Sequence, residues 1–155
     1  MARNCFKPDH EELKLLIEGK YPGKVQFVKE SERRITYRVH RSTILGLCTF
    51  LGEKVNFEHI SSLCGVDWVT HMQVVYHISN YATGMLLELI VDVPNDDPHI
   101  ASVAGVWGGA NWHERETYEL FGIIFDDHPN LKRLLTPDEY EFFPFKKSYK
   151  LRGQE

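Results

Sequence analysis

The sequence predicts an α+β, two-layer domain: a mixed, mainly antiparallel β-sheet with helices packed on one face, followed by an extended C-terminal tail. Three observations carry that reading. Apolar residues recur at helical spacing in separated stretches, near residues 11–18, 42–54 and 110–121. The segments between them alternate in polarity or run almost wholly apolar, and polar turns join them in pairs, as in antiparallel hairpins. Pro137 and Pro144 interrupt any long element after Asn130. The order helix, two strands, helix, three strands and tail is that of an α+β domain. Residues 1–129 are expected to form the domain and residues 130–155 the tail.

Each element has its own signal. Asp9 is placed to cap a helix over residues 11–18, with Leu13, Leu16 and Ile17 on one face and Gly19 at its end. Tyr21-Pro22-Gly23 makes a turn, residues 25–28 a strand, and Glu30-Ser31-Glu32 a second turn. In residues 33–40, Ile35, Tyr37 and Val39 face one way and Arg34, Thr36 and Arg38 the other, the pattern of a half-exposed strand paired with the first. Ser42 is a candidate cap for a helix reaching about Lys54, with Leu45, Cys48, Thr49 and Leu51 or Gly52 at helical spacing. Residues 57–66 read as a short strand, and residues 72–78 and 85–93 as the clearest strand pair. The last of these is apolar at nearly every position, so it belongs in the middle of the sheet, covered on both faces or by a partner protein. Residues 95–98 open a short helical turn through about Ala104. Ala110 or Asn111 starts a final helix, with Gly122 just past its end.

Composition narrows the function. At 155 residues, 43% apolar and 26% charged, the chain is an ordinary single globular domain. A net charge of −4 argues against nucleic acid as a partner, since phosphate binding needs a basic face. Cys5, Cys48 and Cys64 share no CxxC spacing and are odd in number, which disfavours a disulfide framework, a zinc site or an iron–sulfur site. Cys48 and Cys64 sit among apolar residues and read as buried thiols in a reducing compartment. No apolar run approaches the ~18 residues of a membrane span, and the N-terminus lacks the apolar core of a signal peptide. A chain soluble by itself and free of cofactors is the expectation.

The densest information lies in residues 114–135. His113-Glu114 could open a zinc-protease helix, but the second His required four positions on is Thr117. Two carboxylates near aromatics could suggest a glycosidase or another small hydrolase, yet nothing sets their separation or supplies a cleft. Nucleotide-binding glycine loops and serine-hydrolase elbows are lacking. Glu114, Arg115, Glu116 and Glu119 fit either a solvated helix face or a docking surface, where carboxylates bracketed by Trp112, Tyr118 and Phe121 would be paired and desolvated. His128-Pro129 sets a turn. After it, Lys132 and Arg133 are either solvated, or turned back onto the helix acids, or directed to a partner carboxylate. The segment 142–150 interleaves aromatics with cations, but without the helical period of a membrane-surface helix.

These residues resemble the signature of the 30 kDa subunit family of respiratory complex I and its membrane-bound hydrogenase relatives. The matched positions are Glu114-Arg115-Glu116, Glu119, Leu120-Phe121, His128, Lys132 and Leu134-Leu135. A weaker likeness runs through the helix near Ser42, Gly65-Val66-Asp67, Val74-Val75-Tyr76-His77, Val93-Pro94, Asp97-Pro98 and Gly109-Ala110-Asn111-Trp112-His113. In the tail the family usually reads Pro-Leu-Arg-Lys then Asp-Phe. Here Pro144 and Lys147 match, Lys146 keeps the charge without the guanidinium fork, and Phe145 enlarges the apolar anchor. The resemblance implies an α+β subunit without cofactor or catalytic residues. It would dock on the large subunit derived from nickel–iron hydrogenase and near the small iron–sulfur subunit, on the cytoplasmic face of a membrane complex that couples electron transfer to ion pumping. The implied interface is Glu114, Arg115, Glu116, Glu119, His128, Pro129, Lys132, Arg133, Pro144, Lys146 and Lys147. The chain stops soon after the lysine pair, which leans toward hydrogenase-type or smaller complexes. The alternative function is a free-standing interaction module with no redox role.

Overall fold

The computed structural model describes residues 9–150; Cys5 and the end of the expected tail, residues 151–155, lie outside it. Helix α1 (His10–Lys20) starts at a capping box: Asp9 accepts from the Glu12 amide, and the Glu12 carboxylate accepts from the Asp9 amide. Its Leu13 and Ile17 are fully buried. Strands β1 (Val25–Ser31) and β2 (Arg34–Val39) form the expected antiparallel hairpin, with a bulge between Phe27 and Lys29. After helix α2 (Ile44–Lys54) come β3 (His59–Asp67), β4 (His71–Asn80) and β5 (Met85–Pro94), joined by antiparallel pairing. Strand β5 then lies parallel to β2, so the five-stranded order is β1-β2-β5-β4-β3 and β5 is central.

The core forms between this sheet and the helices on one of its faces. Ile35 and Tyr37 of β2, Val74 and Tyr76 of β4, and Leu87, Leu89, Val91 and Val93 of β5 are all at 0% exposure there. Alternation sends the other residues of β5 to the opposite face, where Leu86, Glu88, Ile90 and Asp92 are only half-buried. That face is tiled by hydrogen-bonded charges rather than closed by a second apolar layer. Glu88 binds Arg34, Thr36 and His77, and Asp92 binds Arg38 at 2.5 Å and Gln73 at 2.6 Å. Cys64 belongs to this alternation too. The expectation of two buried thiols holds for Cys48 alone; Cys64, next to inward-facing Leu63, is exposed.

Two local expectations are corrected. Ser42 does not cap α2. A 3-10 turn (Arg41–Thr43) precedes the helix, and the His40 ring accepts from the Ser42 amide instead. The delayed start turns the buried stripe to Ile44, Leu47, Cys48 and Leu51 and leaves Leu45 41% exposed. Residues 95–104 are not a helical turn either. They contain strand β6 (His99–Ala101), which pairs in parallel with β7 (Ile124–Asp126). Two three-residue strands are too short to show a period, and their pairing is set by tertiary contact.

The two faces of β5 give a direct comparison. Leu89→Asp buries an unpaired carboxylate among apolar side chains and should destabilise the chain by about 3 kcal/mol or more. Ile90→Asp, one residue on and facing the charge ladder, should cost roughly half as much or less, because water and polar neighbours reach it. Melting temperatures of the two variants check this; equal losses would mean that both faces of β5 are sealed.

Candidate functional site

The site is built on helix α3 (Ala110–Phe121) and the tail that folds back on it. Two glycines allow the close packing. A Cβ on Gly65 of β3 would come within 2.6 Å of the Phe121 ring, so its absence lets α3 settle directly on the strand. Gly122 ends α3 in the left-handed region, φ 74°, and the Phe143 ring covers the space a Cβ would take. The Phe145 amide donates to Leu120 O at 3.0 Å, completing the tail's return.

The charges of α3 face three directions. Glu114 has no exposed surface; its Oε1 accepts from the Val103 amide at 2.7 Å and its Oε2 from the Ser102 hydroxyl at 2.5 Å. Burial outweighs these neutral donors and the carboxyl is pushed up to about 7. The enclosed His128 ring lies beside it, Nε2 3.7 Å from Glu114 Oε2. Its Nε2 donates to Asn111 O and its Nδ1 accepts from the Asn130 amide, which defines a neutral tautomer. Burial holds the imidazole below its usual pKa, over the opposing pull of the Asn111 carbonyl, and the Arg115 cation adds to the drop.

Glu119, also at 0% exposure, fastens the tail. Its carboxylate accepts from the amides of Leu134 at 2.7 Å, Leu135 at 3.0 Å and Thr136 at 3.3 Å, and from the Thr136 hydroxyl. Burial alone would raise its pKa, but these donors prevail and hold it below the ordinary carboxylate value. Arg115 donates to Lys132 O and Arg133 O, both at 3.0 Å. Arg133 reaches the other way, to Glu119 O, Thr136 Oγ1 and Phe142 O, with its guanidinium over the Phe143 ring. So Arg133 does turn back to the helix, as one of the sequence alternatives had it, but it binds carbonyl and hydroxyl oxygens. The tail is coil, and its backbone groups need partners that no ladder supplies.

The remaining expected site residues point outward or line the rim. Glu116 is half-buried and, among the described residues, its side chain forms no hydrogen bond or ion pair; Pro129 and Lys132 are exposed. Pro144 is half-buried, Lys146 lies over the Phe143 ring, and Lys147 lies over Trp68, with its amide donating to Asp67 Oδ2 at 2.8 Å. Sequence reasoning missed Ser102, Val103 and Thr136, whose roles rest on backbone or on one hydroxyl. It also missed the close approach at Gly65, which an isolated glycine inside a strand does signal.

The family profile described as the 30 kDa subunit of respiratory-chain NADH dehydrogenase matches residues 37–155, from β2 through the tail. The chain belongs to this family. Within it, a subunit of the F(420)H(2) dehydrogenase of Methanosarcina mazei is 39% identical over 137 residues, 86% of this chain and 87% of that one. A subunit of the NADH-quinone oxidoreductase of Streptomyces coelicolor is 37% identical over 125 residues; the match covers 77% of this chain and 50% of that longer one. The fold is that of a chain in the membrane-bound sulfane sulfur reductase, an archaeal respiratory membrane complex, with TM-score 0.81, 24% identity, and 92% and 86% of the two chains covered. It is also that of the trypsin-resistant fragment 1–134 of Nqo5, with TM-score 0.66, 25% identity, and 77% and 98% covered. The chain is thus a complex I-like subunit of the 30 kDa type. Among the described residues no helix is long and apolar enough to cross a membrane.

Two variants test how the tail and the core are held. The Glu114 carboxyl ionises near 4.5 when exposed and near 7 when folded. Between those values the folded chain holds a proton that the unfolded chain has released, so stability falls as pH rises through this window, by roughly 3 kcal/mol. Glu114→Gln should abolish that fall, seen as a flatter melting temperature between about pH 5 and 8. Glu119 has the opposite sign: its contribution is present above the ordinary carboxylate range and is lost as pH drops below it. Glu119→Ala should free the amides of residues 134–136, cost about 2–4 kcal/mol, and make the tail the first site of amide exchange and proteolysis.

Proposed function

We propose that this chain is a non-catalytic structural subunit of the peripheral arm of a complex I-like, membrane-bound oxidoreductase. It docks on the large subunit related to nickel–iron hydrogenase, near the small iron–sulfur subunit, and supports electron transfer coupled to ion pumping without reacting itself. One observation carries this reading. Glu119, Arg115 and Arg133 fasten the chain's own tail, and beside these contacts lies a rim of Trp112, Glu116, Lys132, Leu135, Phe142 and Phe145. Trp112 is 62% exposed and Leu135 68% exposed, on segments that these contacts tie to each other. Preordered aromatic and apolar side chains with charges beside them suit a protein interface. The relatives support the same reading: the curated ones are named as subunits of quinone-linked or F(420)H(2) dehydrogenases, and one of the two solved structures is of a respiratory membrane complex.

In this reading Glu114, Arg115, Glu119, His128 and Arg133 act on the interface by shaping it, while Glu116, Pro129, Lys132, Pro144, Lys146 and Lys147 lie where a neighbour reaches them. The test is co-purification from host membranes beside the melting temperature of the free chain. A Glu116→Ala, Lys132→Ala double variant should change free stability by less than about 1 kcal/mol, as surface substitutions do, yet reduce retention with the large subunit at least tenfold. Arg133→Ala should lower both together. Full retention of the double variant would remove this rim from the dock, and a wild-type chain that leaves the membrane alone would favour a free-standing module.

A further inference from the structure

We propose that the tip of the β3–β4 hairpin, Trp68-Val69, extends the dock beyond Lys146 and Lys147 of the tail, and that these four residues together receive an acidic segment of a neighbouring subunit, anchored by an apolar side chain. The proposal rests on the reading above that the chain sits in a complex, and it centres on a hairpin tip that the family signature does not contain.

Val69 breaks a local rule. It holds φ at 72°, a left-handed conformation that a β-branched residue adopts only with strain, and its side chain is 64% exposed. The turn is held from both sides: Asp67 Oδ1 accepts from the Val69 amide at 2.6 Å, and the Asn95 side-chain amide donates to Val69 O at 2.8 Å. Glycine would meet the same backbone demand without strain. A valine there contributes little to the core, so its use lies outside the chain.

Trp68 beside it is 53% exposed. Its indole N–H already donates to Gln73 Oε1 at 2.7 Å, so what it offers outward is apolar ring. Exposed Trp of that kind is the usual anchor of a protein contact. Between this tip and the tail lies a groove of about 370 Å³, lined by Asp67, Val69, Met72, Asn95, Lys146 and Lys147. The floor is apolar at Met72 and Val69, and the wall is cationic. Asp67 is the one carboxylate in the lining, and both its oxygens accept backbone amides, from Val69 and Lys147. Neither lysine nitrogen is in a direct ion pair among the described residues. The groove is therefore locally basic on a chain of net charge −4, complementary to an acidic peptide with an apolar side chain.

A protein segment fits better than an anionic bilayer. A tryptophan at a membrane interface uses its N–H toward the headgroups, whereas this one is turned inward to Gln73.

The experiment uses the whole complex purified from host membranes and the full chain alone. Val69→Gly removes the side chain and the strain; the free chain should melt no lower than wild type, while retention in the complex falls at least fivefold. Lys146→Glu with Lys147→Glu should reduce retention at least tenfold, and the loss should shrink as salt is raised, because salt weakens the wild-type contact too. A photo-crosslinking residue at position 69 in the assembled complex should attach to an acidic stretch of a neighbouring subunit. Equal retention of both variants, a Val69→Gly chain that melts lower, or crosslinks only to lipid or to a second copy of this chain would each overturn the patch. If wild type assembles and the variants assemble equally, this inference fails and the two lysines leave the dock, while the rim of Glu116 and Lys132 stands; if wild type emerges alone, the proposed function fails with it.

Discussion

One carboxylate, Glu119, makes the tail part of the domain. A stretch with neither helix nor strand leaves every amide and carbonyl in need of a partner, and three consecutive amides converge on that single side chain. Because the acceptor is charged and the donors are oriented, the site holds its negative charge despite complete burial. Arg115 and Arg133 extend the scheme in opposite senses: each takes carbonyl oxygens from the segment that the other belongs to. Loss of Glu119 would leave both arginines attached to a chain free to drift.

The spacing of the signature follows from helix geometry. Successive residues turn by about 100°, so Arg115 and Glu119 project within about 40° of one another, and both meet the tail. Glu114 points away from them, into the loop after β6, and Glu116 points outward. The four charges therefore serve three surfaces: the domain interior, the tail and the solvent. Similar residue types end in opposite environments. Glu114 faces only neutral donors in the core, and its charge is disfavoured. Glu119, also closed to solvent but set less deep, meets enough aligned donors to remain ionised.

Much of the fold is legible in the sequence, for a definable reason. Strand β2 displays alternation, β4 and β5 are long apolar runs joined by a polar loop, and α1 is announced by its cap residue Asp9. What the sequence hides is set by contact between distant segments. The pairing of His99–Ala101 with Ile124–Asp126 leaves no local trace, and the 3-10 turn ahead of α2 shifts its stripe by one position. At the site, the important residues are visible by type and spacing, but their partners are not. The sequence displays Glu119 and Arg133; it does not display that backbone groups bind them. The expectation for Cys64 fails because its apolar neighbours face the other side of the sheet.

The parallel register of β2 with β5 has a consequence for synthesis. Arg34 pairs with Leu86, so the β1–β2 hairpin leaves the ribosome long before the strand that completes its inner edge. Until then the hairpin presents an open row of backbone donors and acceptors, and α1, already made, is the layer set against it, with the Tyr37 hydroxyl donating to Glu18. Closing so large a loop is entropically costly and delays the nucleus relative to local hairpins. The bulge between Phe27 and Lys29 on the far strand twists and interrupts the outer edge, and Arg34 and Arg38 charge the strand that waits. Those features guard the nascent chain against self-association during the interval, and the bulge goes on doing so in the finished sheet, where β1 remains an edge strand.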